Sequence, residues 1–368
     1  MSKATEKKTH PALSIVKFIV FASVGFGILY FVYQNQEASY QLECTCKVER
    51  GEACLFDTLF DKIVFDFKNA NFFWLAVVCL LFMMSNISRA LRWNQLIEPL
   101  GYRPKITNTF LATMIGYMVN LALPRAGEIA KSVAVARYEK IPLDKLLGTI
   151  FTDRVFDVFM LLVVVLITFL VQFQYLWNFL FGKKEAVEVC SAVESGSSLP
   201  WLWILGGGIA IGLLIIIAIV YKWQLIKETT IAKQILGWSK NLLEGIKTVF
   251  KLRRPSMFVF HTLVIWLMYY LMLYICFFAY APTAKLFSGS PEVALLAFTF
   301  GTFGMLIPSP GGMGTYQLAV TMALTIHGMT DSNAFAFANI MFFSITIFCN
   351  VFFGILAYIF LPIYNKIV

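Results

Sequence analysis

Of 368 residues, 59% are hydrophobic and only 14% are charged, which excludes an ordinary soluble domain, where about a quarter are charged. The mean hydropathy is +0.74 and aromatics reach 16%, with 36 phenylalanines, as lipid-facing helices and interfacial belts require. The net charge of +9 suits a basic membrane face toward anionic lipid, and no nucleic-acid partner is expected.

Along the chain, six stretches reach the length of about 20 apolar residues that a spanning helix needs. They are Val16–Tyr33, Phe72–Leu91, Leu147–Val171, Trp201–Tyr221, Met257–Tyr280 and Phe335–Leu361. The first is long, and Glu37-Ala38-Ser39 is a poor cleavage site, so it reads as a retained signal anchor rather than a signal peptide. Two shorter segments are broken: Ile106–Leu123 ends at Pro124, and Val293–Ile307 ends at Pro308. Each is followed by a moderately apolar piece, Ile129–Ala136 and Tyr316–Ile326, which is how re-entrant hairpins read when they line a cavity.

With the amino terminus inside, the inner segments carry 21 Lys and Arg and the outer segments 7. This asymmetry sets both termini and the stretch Lys222–Arg254 in the cytoplasm. Basic residues flank Ile106–Leu123 on both sides, so that hairpin enters from inside and the second enters from outside.

Cys44, Cys46, Cys54 and Cys190 fall in outer loops, where an oxidising compartment favours two disulfides. A Cys44–Cys46 bridge closes too short a loop, which leaves the two cross-pairings with Cys54 and Cys190 open.

Sliding the chain by about 184 residues, half its length, superposes the elements. Phe72 falls on Ser256, Leu147 on Asp331, and the break at Pro124 on that at Pro308. Each half then reads helix, amphipathic segment, helix, broken hairpin, helix. Three crossings per half make the halves antiparallel, the inverted-topology plan of secondary transporters. The expected fold is an all-α integral membrane protein forming a single transmembrane domain over 1–368. Its repeats span about 12–183 and 196–368.

Ionisable residues inside a span cost roughly 2.5–3.5 kcal/mol each at a helix centre, so those present are functional candidates. Asp153 and Asp157 share a face of the third long span, with Arg154 beside them. Internal salt-bridging is the competing role. At the first hairpin tip, a helix predicted to start at Ile129 leaves free amides near Arg125, Gly127 and Glu128. Helix starts attract anions, and the Arg125 fork suits phosphate, while Glu128 alternatively caps the helix. The second tip offers Ser309, Gly311, Gly312 and Gly314 as a backbone nest, or simply as a tight turn. Asn120 and Gln317 extend the polar pathway, together with Tyr117, Asn339 and Asn350. Arg89 and Arg92 are expected to snorkel toward headgroups from the inner end of their helix.

There is no Walker A loop, H-E-x-x-H or G-x-S-x-G, and the histidines are only His10, His261 and His327. A transporter is therefore expected rather than an enzyme, with no cofactor and no metal site.

Three motifs carry a family resemblance: Leu123-Pro124-Arg125-Ala126-Gly127-Glu128, Asp153-Arg154-x-x-Asp157 and Pro308-Ser309-Pro310-Gly311-Gly312-Met313-Gly314. With Ser88-Arg89-Ala90-Leu91-Arg92-Trp93, they resemble the lysylphosphatidylglycerol synthase transmembrane, or flippase-like, family from about Phe72 onward. The resemblance implies a bacterial inner-membrane protein, and the chain reads as a stand-alone member that departs from the fused ones in lacking the soluble synthase domain. It implies a flippase or translocase for a phospholipid or polyprenyl-linked lipid, with Arg125 and the second tip on the headgroup phosphate. The alternatives are a membrane enzyme acting on a lipid phosphate, using Asp153, Asp157 and Glu128, and a non-transporting subunit of a lipid-modifying or glycosyltransferase complex. Expected partners are the lipid substrate and anionic lipids, with a second copy or a membrane enzyme as protein partners.

Overall fold

The computed structural model describes residues 11–123, 126–175, 177, 252–307 and 309–367. Among them all regular structure is helical. The first half holds α1 (Pro11–Glu49), α2 (Leu59–Lys68), α3 (Phe72–Ile97), α4 (Ile106–Ala122), α5 (Ala126–Glu139) and α6 (Leu143–Val171). The second holds α7 (Pro255–Cys276), α8 (Ala281–Phe287), α9 (Pro291–Leu306), α10 (Thr315–Thr325) and α11 (Asp331–Met341). A π-helical stretch, Phe342–Cys349, carries α11 into α12 (Asn350–Ile367).

Local chemistry explains the helix starts. Asn71 caps α3 by accepting the Phe73 amide at 3.1 Å, and Thr58 caps α2 through the Asp61 amide at 3.2 Å. Proline stands in the first turn of α7, α8 and α9, where a missing N–H costs nothing.

Four helical runs are long and apolar enough to cross a membrane: Phe72–Leu100, Leu143–Val171, Pro255–Ala279 and Asp331–Lys366. Leu162, Leu166, Phe169 and Leu170 stay exposed on α6, and only 11% of its apolar window is buried. An apolar surface that continuous has lipid, not water, as its solvent. Val16–Tyr33 lies within α1, whereas Trp201–Tyr221 lies outside the described residues.

Three boundaries differ from the sequence expectation. Helix α3 runs on to Ile97, past Leu91, so Arg92 sits inside it. Helix α6 begins at Leu143, which makes Asp157 the midpoint of its 29 residues. Helix α5 begins at Ala126 rather than Ile129, putting Gly127 and Glu128 in its first turn. A hydropathy window stops at the first charges, but Arg and Glu are good helix formers and do not end a helix.

Helices α4 and α5 fold into one hairpin, α9 and α10 into another. A Cβ on Gly127 would overlap the Gly116 carbonyl oxygen, so only glycine permits this crossing of α4 and α5. Gly311 and Gly312 turn the second tip with φ of 59° and 80°. A Cβ on Gly311 would press on Leu121, and one on Gly25 would strike the Pro310 ring. The second tip is thus wedged between the end of α4 and α1. The main core beside it includes Phe82, Trp266, Phe298, Phe337 and Phe342.

At the opposite end of α1, Cys44 is disulfide-bonded to Cys54, one of the pairings left open above. Cys46 is disulfide-bonded too, and Cys190 lies outside the described residues. Cys79, Cys276 and Cys349 are free thiols.

Candidate functional site

Helices α3, α5 and α6 converge through charged side chains at helical spacing. Helix α3 brings Arg89 and Arg92, α5 brings Glu128 and Lys131, and α6 brings Asp153, Arg154 and Asp157. Arg92 Nη2 lies 2.7 Å from both Asp153 Oδ1 and Asp157 Oδ1. Arg89 Nη1 lies 3.2 Å from Asp157 Oδ2, and its Nη2 donates to the Tyr269 hydroxyl at 2.8 Å. Arg154 bridges two helices: Nη1 is 3.0 Å from Asp157 Oδ2 and Nη2 is 2.5 Å from Glu128 Oε1. Lys131 Nζ closes the chain 2.8 Å from Glu128 Oε2, 4.8 Å above the Trp93 ring. Each charge is therefore shared, which is what lets so many remain ionised in apolar surroundings.

The cluster is closed on one side and open on the other. The Arg92 side chain is 0% exposed and that of Asp153 1%. Arg154 is also deep among the helices, yet 42% of its side chain is accessible because it faces a cavity. That cavity has a volume of about 530 Å³, within the range of small-molecule sites. Its polar end is made by Arg89, Arg154, Asp157, Tyr117 and Tyr269. Its remaining wall is mainly apolar and aromatic, with Phe82, Trp266, Phe298, Met305, Leu306 and Tyr316, and also carries Thr302, Thr346 and Asn350. A molecule with a charged head and a hydrocarbon body fits that division.

A family model described as lysylphosphatidylglycerol synthase TM region matches residues 56–354. The chain belongs to that family. It is similar to a UPF0104 membrane protein of Methanocaldococcus jannaschii, 26% identical over 140 residues, or 34% of this chain. The match spans 42% of that relative's length. No solved structure matches.

In this member of the lysylphosphatidylglycerol synthase TM family, the sequence candidates separate into distinct groups. Arg154 and Asp157 face the cavity, and Glu128 stands behind Arg154. Asp153 is buried away from the cavity, against Arg92. Asn120 accepts the Gly127 amide at 2.8 Å, tying the first tip together. Gln317 is not on the cavity wall: fully buried, it accepts the Gly314 amide at 2.8 Å and closes the start of α10. The Ser309 hydroxyl lies 3.2 Å from that of Thr315, and the Gly312 and Met313 amides donate to Ser309 and Pro310 carbonyls. These bonds are those of a turn, and they leave the second tip few free amides. Arg125 lies outside the described residues.

Arg89 and Arg92 do not snorkel. Both are buried and hold the two aspartates, because α3 continues past them and packs on α7. A signal for this was present: two Arg three apart on one apolar helix complement two Asp four apart on another. Lys131 and Tyr269 carried no such pattern.

Proposed function

We propose that the chain is a membrane lipid translocase for a phospholipid or polyprenyl-linked lipid. The observation that carries this reading is the cavity, charged at one end by Arg89, Arg154 and Asp157 and lined elsewhere mainly by aromatic and aliphatic side chains, with Thr302, Thr346 and Asn350 among them. The headgroup takes the polar end and the hydrocarbon the remainder. Membership of a family named for a lysylphosphatidylglycerol synthase supports a lipid substrate. The carboxylates of Glu128, Asp153 and Asp157 are each held by cations, a poor state for bases in an enzyme.

The same reading takes six crossings, two re-entrant hairpins and an inverted repeat, with both termini cytoplasmic in an inner membrane. The recurrence of starts supports it: Phe72, Ile106 and Leu143 in the first half, Pro255, Pro291 and Asp331 in the second. The contact of Gly311 with Leu121, where the two hairpins meet, also fits alternating access at a repeat interface.

Purified protein in liposomes should move a fluorescent phospholipid between leaflets, and Arg154→Gln should slow that movement while leaving the fold intact. No movement of any phospholipid or polyprenyl-linked lipid by the parent protein would reject the reading. Reporter fusions test the topology: cytoplasmic signals are expected at Lys105, Lys140 and Lys240, and external ones at Phe60 and Cys190. An external signal at Lys140 would remove the first re-entrant hairpin and the inverted repeat.

A further inference from the structure

The charge count of the cluster bears on which headgroup the cavity accepts. Four cations, Arg89, Arg92, Lys131 and Arg154, face three carboxylates, Glu128, Asp153 and Asp157. Among the described residues, the cluster therefore carries one uncompensated positive charge. In the low dielectric of a membrane protein, that charge attracts a monoanion and opposes a second cation far more strongly than it would in water.

Hydrogen bonding points the same way. Asp157, the one carboxylate on the cavity wall, is turned to three guanidinium groups. What remains at the polar end is mostly donors: the Arg154 guanidinium is partly open to the cavity, and the Tyr269 hydroxyl, accepting from Arg89, still has its own proton to give. The Tyr117 hydroxyl sits 3.4 Å from it. Such a surface suits the bare oxygens of a phosphodiester. An ammonium brings only donors and would meet donors.

We propose that the cavity selects lipids whose headgroup carries a net negative charge, and disfavours the lysylated phosphatidylglycerol after which the family is named. This rests on the lipid-translocase reading of the same cavity. Lysylation adds two amino groups beside one phosphodiester and so reverses the headgroup's charge. Arg154, half-open to the cavity and shared between Asp157 and Glu128, is the group that meets the phosphate.

The test uses the full-length protein in detergent and a fluorescent short-chain phosphatidylglycerol. Unlabelled short-chain phosphatidylglycerol, phosphatidylcholine and lysylphosphatidylglycerol compete for it. Phosphatidylglycerol should displace the probe at about tenfold lower concentration than lysylphosphatidylglycerol. Arg154→Gln should bring the two within about threefold. Thr302→Asp places a negative charge on the cavity wall, outside the cluster, and should narrow the ratio in the same way. Equal or tighter binding of lysylphosphatidylglycerol would overturn the proposal and leave the lipid site standing. So would a ratio that neither folded variant changes. Displacement by inorganic phosphate or glycerophosphate as effective as by the lipid would make this a soluble-anion site, overturning the lipid assignment. If none of the three lipids competes and the probe itself does not bind, the translocase reading fails with it.

Discussion

Two parts of this molecule bury charge, and they do so to different ends. Where α1, α2 and α11 meet, Lys62 Nζ lies 2.6 Å from Asp66 Oδ2 and 2.8 Å from Asn333 Oδ1. The Tyr280 hydroxyl donates to the same Asp66 oxygen at 2.9 Å, and Ser332 donates to Glu43 at 2.7 Å. The Tyr40 hydroxyl donates to the Phe56 carbonyl at 2.9 Å, and burial, with Glu43 and Glu37 nearby, keeps its pKa above the ordinary range. The Cys44–Cys54 disulfide fixes the loop between α1 and α2 beside them. The α3–α5–α6 cluster is as densely paired, but Arg154 remains open to a cavity of about 530 Å³. Pairing density therefore does not distinguish a clamp from a site. An accessible charge at the edge of a well-paired network does.

The largest effect expected lies in the closed half of the cluster. Arg92→Leu leaves Asp153 and Asp157 short of a shared cation where Arg92 and Asp153 are fully buried, and should cost about 3–5 kcal/mol of stability. Asp157→Asn also frees guanidinium groups, but at the cavity edge, where Arg154 is already accessible, so it should cost less than Arg92→Leu. Thermal unfolding of the purified variants measures both. A loss below about 1 kcal/mol for Arg92→Leu would mean water reaches this half too, and the contrast with Arg154 would disappear.

The clamp at the other end should respond in stability alone. Replacing Cys44 and Cys54 by Ser should cost about 2–4 kcal/mol, the usual effect of removing a disulfide. Lys62→Met removes the cation from Asp66 and leaves Asp66 and Asn333 to share the Tyr280 hydroxyl, and should cost about 1–3 kcal/mol. In liposomes made from folded protein, both variants should translocate lipid at the parent rate. A rate loss in step with that of Arg154→Gln would make the two regions one functional unit. With Cys44–Cys54 fixed, an unreduced digest should also contain Cys46 cross-linked to Cys190, and free Cys190 would contradict that pairing.

Much of the site was legible in the sequence, and what was not has a physical cause. Charges in apolar segments are costly enough to stand out, so Asp153, Arg154, Asp157 and Glu128 were visible, and three of the four join directly in the Arg154 bridge. Arg89 and Arg92 were misplaced because a hydropathy window ended α3 at Leu91, while the backbone continued six residues further. Which helix end meets water is a tertiary fact: here α7 covers it, with Thr262 and the Phe258 ring against Arg92. The glycines of the second tip were seen, but not their reason. Gly312 and Gly314 adopt left-handed backbone and pack against Met305 and Ile28, contacts that sequence spacing does not reveal. The aromatic wall was hidden among 36 phenylalanines and 15 tyrosines, because lipid-facing and cavity-facing rings read alike in a sequence.

The smallest expected change is the one that most sharpens the comparison. Arg154→Lys keeps the positive charge and much of the aliphatic stem but loses the planar fork. That fork now serves two carboxylates on different helices, Asp157 through Nη1 and Glu128 through Nη2. A single ammonium can satisfy one of them well, and Glu128 still has Lys131 at 2.8 Å. Stability should therefore move by no more than about 0.5 kcal/mol, as for a partly accessible substitution that strands no charge. Translocation should fall by about threefold to tenfold, since a lysine cannot hold its helix partner and meet a phosphate with a second parallel N–H at once. If Arg154 belonged to a clamp like that of Lys62, the order would reverse: stability would drop while the rate of surviving protein stayed level. Melting and translocation measured on the same preparation of Arg154→Lys decide between these outcomes, and a variant unchanged in both would remove Arg154 from the headgroup path.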